Sequence, residues 1–87
     1  MQNNSEKIRL WLEFPVLRKQ YEVNLPTSRS LNDCIPYLNE MFAGEFSGVY
    51  VIEDGTMFFE ASSSCLISRA VTLSNQNLRD GMRVSVY

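Results

Sequence analysis

The sequence predicts one small domain of the α+β class, and three observations carry that prediction. Two early stretches alternate apolar and polar residues with a period of two, and a central stretch places apolar residues at helical spacing. The segments after it return to short apolar runs punctuated by Asp-Gly pairs. With 87 residues there is room for a single core, about 60–65% of the unfolded surface being buried at this size. No repeat and no linker divides the chain, so the expected order is β-β-α-β-β-loop-β.

Residues 1–7 are polar and aperiodic and are expected to form a disordered tail; the domain is expected to span residues 8–87. From Ile8 the chain alternates strictly, with Ile8, Leu10, Leu12 and Phe14 on one face and Arg9, Trp11 and Glu13 on the other. That is the pattern of a half-buried strand. Pro15 ends the ladder, and alternation resumes with Tyr21, Val23 and Leu25 against Glu22 and Asn24, completing a hairpin. Ser30 with Asp33 three residues later makes a capping-box-like helix start. Leu31, Ile35, Leu38 and Phe42 then recur at helical spacing, with Cys34 and Met41 on the same side. Pro36 suits only a first turn, which places the start of the regular helix near Asn32 or Asp33; Gly44 is the expected stop.

After the helix, residues 49–52 form an apolar run suited to a strand covered on both faces. Asp54-Gly55 is a hairpin signal, so a second hairpin is expected over residues 49–60. Residues 61–71 predict a serine-rich loop pinned to the core by Leu66, Ile67 and Val71. Residues 72–78 suggest a short turn, and Asp80-Gly81 launches a last strand over residues 82–87.

Several function classes are disfavoured. Net charge is −2 with no run of like charge, whereas binding a phosphate backbone takes clustered Lys and Arg. No stretch nears the roughly 20 apolar residues of a membrane span. The first residues lack the pattern of a secretory signal, so a cytoplasmic location is expected. Cys34 and Cys65 stand far apart, without metal or redox spacing, and are expected to be reduced thiols. Cys34 has core spacing, while Cys65 falls in a loop where modification is conceivable. The chain has no histidine, so neither a Cys/His nor a Ser/His/Asp arrangement is possible. Glu53 and Asp54 belong to turn chemistry, and Gly44 and Gly48 form no phosphate cradle. The expectation is a protein that is not an enzyme and has no catalytic residue, cofactor or metal.

The stretch "TLSNQNLRDGMRVSVY" resembles the ending of ubiquitin-family domains. Leu73 and Leu78 match that ending's two apolar anchors, and Val84 and Val86 its inward strand residues. "LPTSRSLNDCI" is similar to the family's passage from strand to helix. The resemblance covers residues 8–87 and implies a β-grasp fold: a mixed sheet of four to five strands with one helix packed across it. Within that superfamily the chain is similar to the small bacterial YukD/EsaB-type proteins that accompany type VII (WXG100, ESX-like) secretion systems. Shared traits are the short chain, the two-strand start, the helix entered through "LNDCI", and an ending of Leu-x-Asp-Gly type at "LRDG". Pro36 and the long segment from Glu53 to Val71 depart from the ubiquitin pattern.

The resemblance implies a non-enzymatic accessory or regulatory protein that docks onto a protein partner, such as a cytosolic part of a secretion ATPase or a membrane component. A homo-oligomer is compatible with it. In a β-grasp sheet the first and last strands lie side by side, so the face opposite the helix would carry Arg9, Trp11, Glu13, Arg83, Ser85 and Tyr87. Trp, Tyr and Arg are enriched at binding hot spots, which makes these six the expected protein-binding face. The alternative for Trp11 and Tyr87 is that they pack against the segment from Glu53 to Val71. Conjugation and sulfur carriage need an extended Gly-Gly tail. With Tyr87 as the last residue and no glycine after Gly81, docking is favoured over a sulfur-carrier or modifier role. A generic ubiquitin-like adaptor is the other alternative.

Overall fold

The alternation that begins at Ile8 becomes the organising strand of the domain. In a computed structural model describing residues 6–46 and 52–87, β1 (Lys7–Phe14) pairs antiparallel with β2 (Lys19–Pro26) and parallel with β5 (Met82–Val86). On the far side of β5 lie β3 (Phe58–Glu60) and then β4 (Leu66–Ile67), both joined antiparallel. The result is a five-stranded mixed sheet in the order β2-β1-β5-β3-β4, with the helix α1 (Leu31–Phe46) packed on one face. This is the β-grasp arrangement that the sequence implied.

Strict alternation puts Leu10, Leu12 and Phe14 of β1 beside Val84 and Val86 of β5, all essentially buried, against Leu31, Leu38 and Phe42 of α1. The deepest corner is aromatic. The rings of Phe14 and Phe42 meet edge to face at 5.1 Å, and Tyr21 stands 6.4 Å from Phe14 and 5.5 Å from Phe42.

The helix starts at Leu31 and not at Asn32 or Asp33, because the capping box forms in full. The Asp33 N–H donates to Ser30 Oγ (3.2 Å), and the Ser30 N–H donates to the Asp33 carboxylate (3.4 Å). Pro36 is therefore the sixth residue of the helix and not part of its first turn. Its missing N–H leaves the Asn32 carbonyl without its usual donor, but both residues are exposed, so solvent can replace that bond. Gly44 does not end the helix, which continues to Phe46. Open space surrounds the Gly44 backbone, so nothing there requires a glycine.

The expected strand over residues 49–52 falls mostly outside the described residues. Ile52 itself is buried, and its backbone bonds to a helix side chain: its N–H donates to Asn39 Oδ1 (2.7 Å) and its carbonyl accepts from Asn39 Nδ2 (3.1 Å). The turn at Asp54-Gly55 does form, closed by a Thr56 N–H donating to the Glu53 carbonyl (3.1 Å). It leads into β3, which pairs with β5 and β4 and, among the described residues, with no strand before it. A further strand, β4, thus lies where a loop was expected. Its alternation buries Ile67 but leaves Leu66 65% exposed; Val71, tied by its N–H to Ser68 Oγ, is 41% exposed. Of the three residues expected to pin this segment to the core, only Ile67 does so.

The turn between β3 and β4 is built around Glu60, whose carboxylate accepts hydrogen bonds from the hydroxyls of Ser63 (2.7 Å) and Ser62 (3.0 Å) and pairs with Arg79 (3.3 Å). The Ser63 bond first, then the Ser62 bond and the Arg79 charge, hold the Glu60 carboxyl below its ordinary range. A carboxyl lowered in the native state stabilises it above the unfolded value, about pH 4.3, and that contribution fades as pH falls through the native value. Glu60→Gln is accordingly expected to flatten the acid limb of stability, as read by urea unfolding across pH. An acid limb unchanged from wild type would refute this.

Residues 72–78 form the expected turn, including a short 3₁₀ helix (Leu73–Asn75) that buries Leu73. At the launch of β5, Gly81 has a φ of +84°, a conformation that favours glycine. Its N–H donates to the Arg9 carbonyl (2.7 Å), while the Arg9 N–H donates to Asp80 Oδ1 (2.8 Å), so the Asp-Gly pair stitches β5 onto β1.

Candidate docking face

Because β1 and β5 run parallel with Trp11 opposite Arg83 and Glu13 opposite Ser85, the six sequence-predicted residues lie together on the sheet face away from α1. Alternation requires this, since the intervening residues Leu10, Leu12, Val84 and Val86 fill the core.

The charges on this face are spent on one another. Arg83 Nε meets Glu13 Oε2 at 2.9 Å, and Arg9 Nε meets Glu22 Oε2 at 3.3 Å, with Asp80 a further 3.7 Å contact for Arg9. Exposed pairs of this kind add little stability, about 0–1 kcal/mol each.

Three residues that sequence reasoning did not place on this face add apolar surface to it. Phe59 sits opposite Ser85 on β3, Leu66 sits opposite Phe59 on β4, and Met57 exchanges backbone hydrogen bonds with Tyr87 (2.9 and 3.2 Å). The Phe59 and Tyr87 rings meet edge to face at 6.0 Å. Tyr87 does contact the segment from Glu53 to Val71 in this way, yet it stays 59% exposed; Leu66 is 65% and Met57 50% exposed. Trp11 is half-buried. Once Phe58 is assigned to the core, the local alternation Met57-Phe58-Phe59 marks the outer two, whereas Leu66 in a two-residue strand carries no such signal.

No group of His, Cys, Asp or Glu able to hold a metal occurs among the described residues. Burial, and then the Asp33 charge, push the Cys34 thiol up, which keeps it protonated at neutral pH; Cys65 is exposed, and both are free thiols. No described helix is long and apolar enough to cross a membrane.

No protein-family model and no curated protein matches the sequence. Solved structures do match, at identities that establish the fold alone. The ubiquitin-like domain of EccD5 from Mycobacterium xenopi superposes with a TM-score of 0.71 at 16% identity, over 94% of this chain and 93% of that one. The ubiquitin-like domain of the Mycobacterium tuberculosis type VII secretion system protein EccD1 gives 0.67 at 11% identity, over 93% and 97%. A ubiquitin-like domain of an Arabidopsis thaliana protein gives 0.67 at 13% identity, over 99% and 81%. The chain therefore has a ubiquitin-like fold, one shared with domains of type VII secretion components.

Proposed function

We propose that this ubiquitin-like domain is a cytoplasmic, non-enzymatic accessory protein of a bacterial type VII secretion system, acting by docking onto a cytosolic part of the secretion ATPase or of a membrane component. The observation that carries docking is the outer sheet face. Its arginines pair with carboxylates of the chain, while Tyr87, Met57 and Leu66 stand exposed around Phe59, and half-buried Trp11 lies opposite Arg83 further along the same face. Exposed apolar residues grouped in this way mark interaction sites, with aromatic anchors contributing most of the binding energy. The likeness to the EccD domains and the YukD/EsaB-like sequence traits support the secretion setting.

The test is affinity purification of the tagged chain from its host, with Trp11→Asp and Tyr87→Asp alongside, read by mass spectrometry and an anti-tag blot. Wild type is expected to recover type VII secretion subunits and both variants to lose them. Recovery that survives both variants would remove this face from the proposal. An adenylating enzyme or a ladder of covalent adducts would replace docking with conjugation.

A further inference from the structure

The turn between β3 and β4 carries consecutive exposed serines, Ser62, Ser63 and Ser64, and the fold uses each differently. Ser63 holds the turn together: its hydroxyl donates to Glu60 (2.7 Å) and accepts the Cys65 N–H (3.3 Å). Ser64 takes the left-handed corner, with a φ of 61°, and its N–H donates to the Glu60 carbonyl (2.8 Å). Ser62 makes one side-chain bond, from its hydroxyl to Glu60 Oε2 (3.0 Å). Of these serines it is the one that borders a surface depression of about 250 Å³, whose charged walls are Glu60, Arg79, Asp80 and Arg83.

Both guanidiniums at this depression have donors to spare. Arg79 Nη2 meets the same Glu60 oxygen that Ser62 does (3.3 Å), so hydroxyl and guanidinium converge on one atom. Arg83 spends Nε on Glu13 (2.9 Å). Its carbonyl accepts the N–H of Ala61 (3.0 Å), which fixes the start of the turn on β5 one residue before Ser62. The other two nitrogens of each guanidinium have no partner among the described residues, and both side chains are well exposed. Asp80 is already engaged by the Arg9 N–H (2.8 Å). An arginine with free nitrogens grips phosphate oxygens through a planar fork while keeping a carboxylate on its remaining donor.

We propose that Ser62 is a phosphorylation site whose phosphate is held by the free nitrogens of Arg79 and Arg83. A protein kinase transfers the γ-phosphoryl group of a nucleoside triphosphate to Ser62 Oγ. The new P–O bond forms as the bond to the nucleoside diphosphate breaks, and the hydroxyl proton passes to the kinase's base. The turn joins a strand of three residues to one of two, so lifting it into a kinase cleft breaks few ladder bonds. Esterification removes the Ser62 donor from Glu60, and the Ser63 hydroxyl still closes the turn. The added charge, about −1.5 to −2 at pH 7, is large beside the net charge of −2 of the whole chain. This assignment uses neither the docking partner nor the secretion setting, and it stands or falls apart from them.

The first experiment incubates the whole chain with a lysate of its host and γ-labelled ATP and maps the labelled peptide. Label is expected on Ser62 and should be lost in Ser62→Ala, which should otherwise keep the wild-type amide spectrum because the residue is exposed. The second uses the whole chain with phosphoserine installed in place of Ser62 during translation, followed by phosphorus NMR across pH. Arginines at the phosphate favour its dianion, so the double variant Arg79→Ala, Arg83→Ala should raise the second phosphate pKa by about half a unit or more. Absence of label, label on Ser63 or Ser64 in place of Ser62, or a phosphate titration unmoved by the loss of both arginines would overturn the proposal.

Discussion

Phe42→Ala is expected to lose about 3–5 kcal/mol of stability, the usual range for emptying a buried aromatic site. Phe42 is 1% exposed, and it joins α1 to the first hairpin through Phe14 and Tyr21. A chain of this length has about 4–13 kcal/mol in total, so the loss is a large fraction of its stability. Urea unfolding followed by circular dichroism checks the loss. A double-mutant cycle with Tyr21→Ala should show about 0.5–1.5 kcal/mol of coupling. A loss below about 1 kcal/mol would mean that the helix is not anchored at this corner.

Arg69→Ala should have the second-largest effect, about 2–3 kcal/mol, because one partly exposed guanidinium organises a whole loop. Its Nη1 donates to the carbonyls of Glu53 (2.8 Å), Asp54 (3.0 Å) and Thr56 (2.8 Å), and its Nε donates to Asn32 Oδ1 (2.9 Å). The guanidinium also lies 5.9 Å from the Phe58 ring centre. Removing it takes a donor from three carbonyls, that of Thr56 in a part-buried position, and frees the turn that delivers β3 to the sheet. Arg69→Lys should recover only a fraction, since an ammonium cannot hold carbonyls and an amide oxygen in the geometry of a planar fork. Denaturant unfolding gives the magnitude, and amide shifts confined to residues 52–58 would locate the damage. A lysine variant as stable as wild type would contradict the assignment.

The first half of the fold was legible because its signals are local. Eight-residue strands show several cycles of a period-two pattern, and the Ser30–Asp33 box announces a helix from neighbouring residues alone. The stretch after α1 was misread where its partners are distant. Asp54-Gly55 was recognised as a turn, but local turn chemistry does not say which strand follows which partner. β4 has two residues, too few to display a period, so Leu66 passed for a core residue. The six residues could be grouped on one sheet face from sequence because alternation sorts β1 and β5, and the resemblance made those strands neighbours. Met57, Phe59 and Leu66 were missed because the pairing of β3 and β4 with the rest of the sheet is not encoded locally.

The sequence by itself determined the α+β class, the faces of β1, β2 and β5, the helix cap, and which residues of α1 turn inward. These are consequences of backbone periodicity and short-range hydrogen bonding. Tertiary structure alone decided the roles of the polar side chains that serve distant backbone. Asn39 serves both backbone groups of Ile52, Gln76 serves both of Ser68 (3.1 and 3.0 Å), and Arg69 gathers a loop. An amide or guanidinium looks the same in sequence whether it faces water or a buried carbonyl. Only the approach of a distant, unpaired backbone group tells them apart, because that group must find a partner once it leaves water.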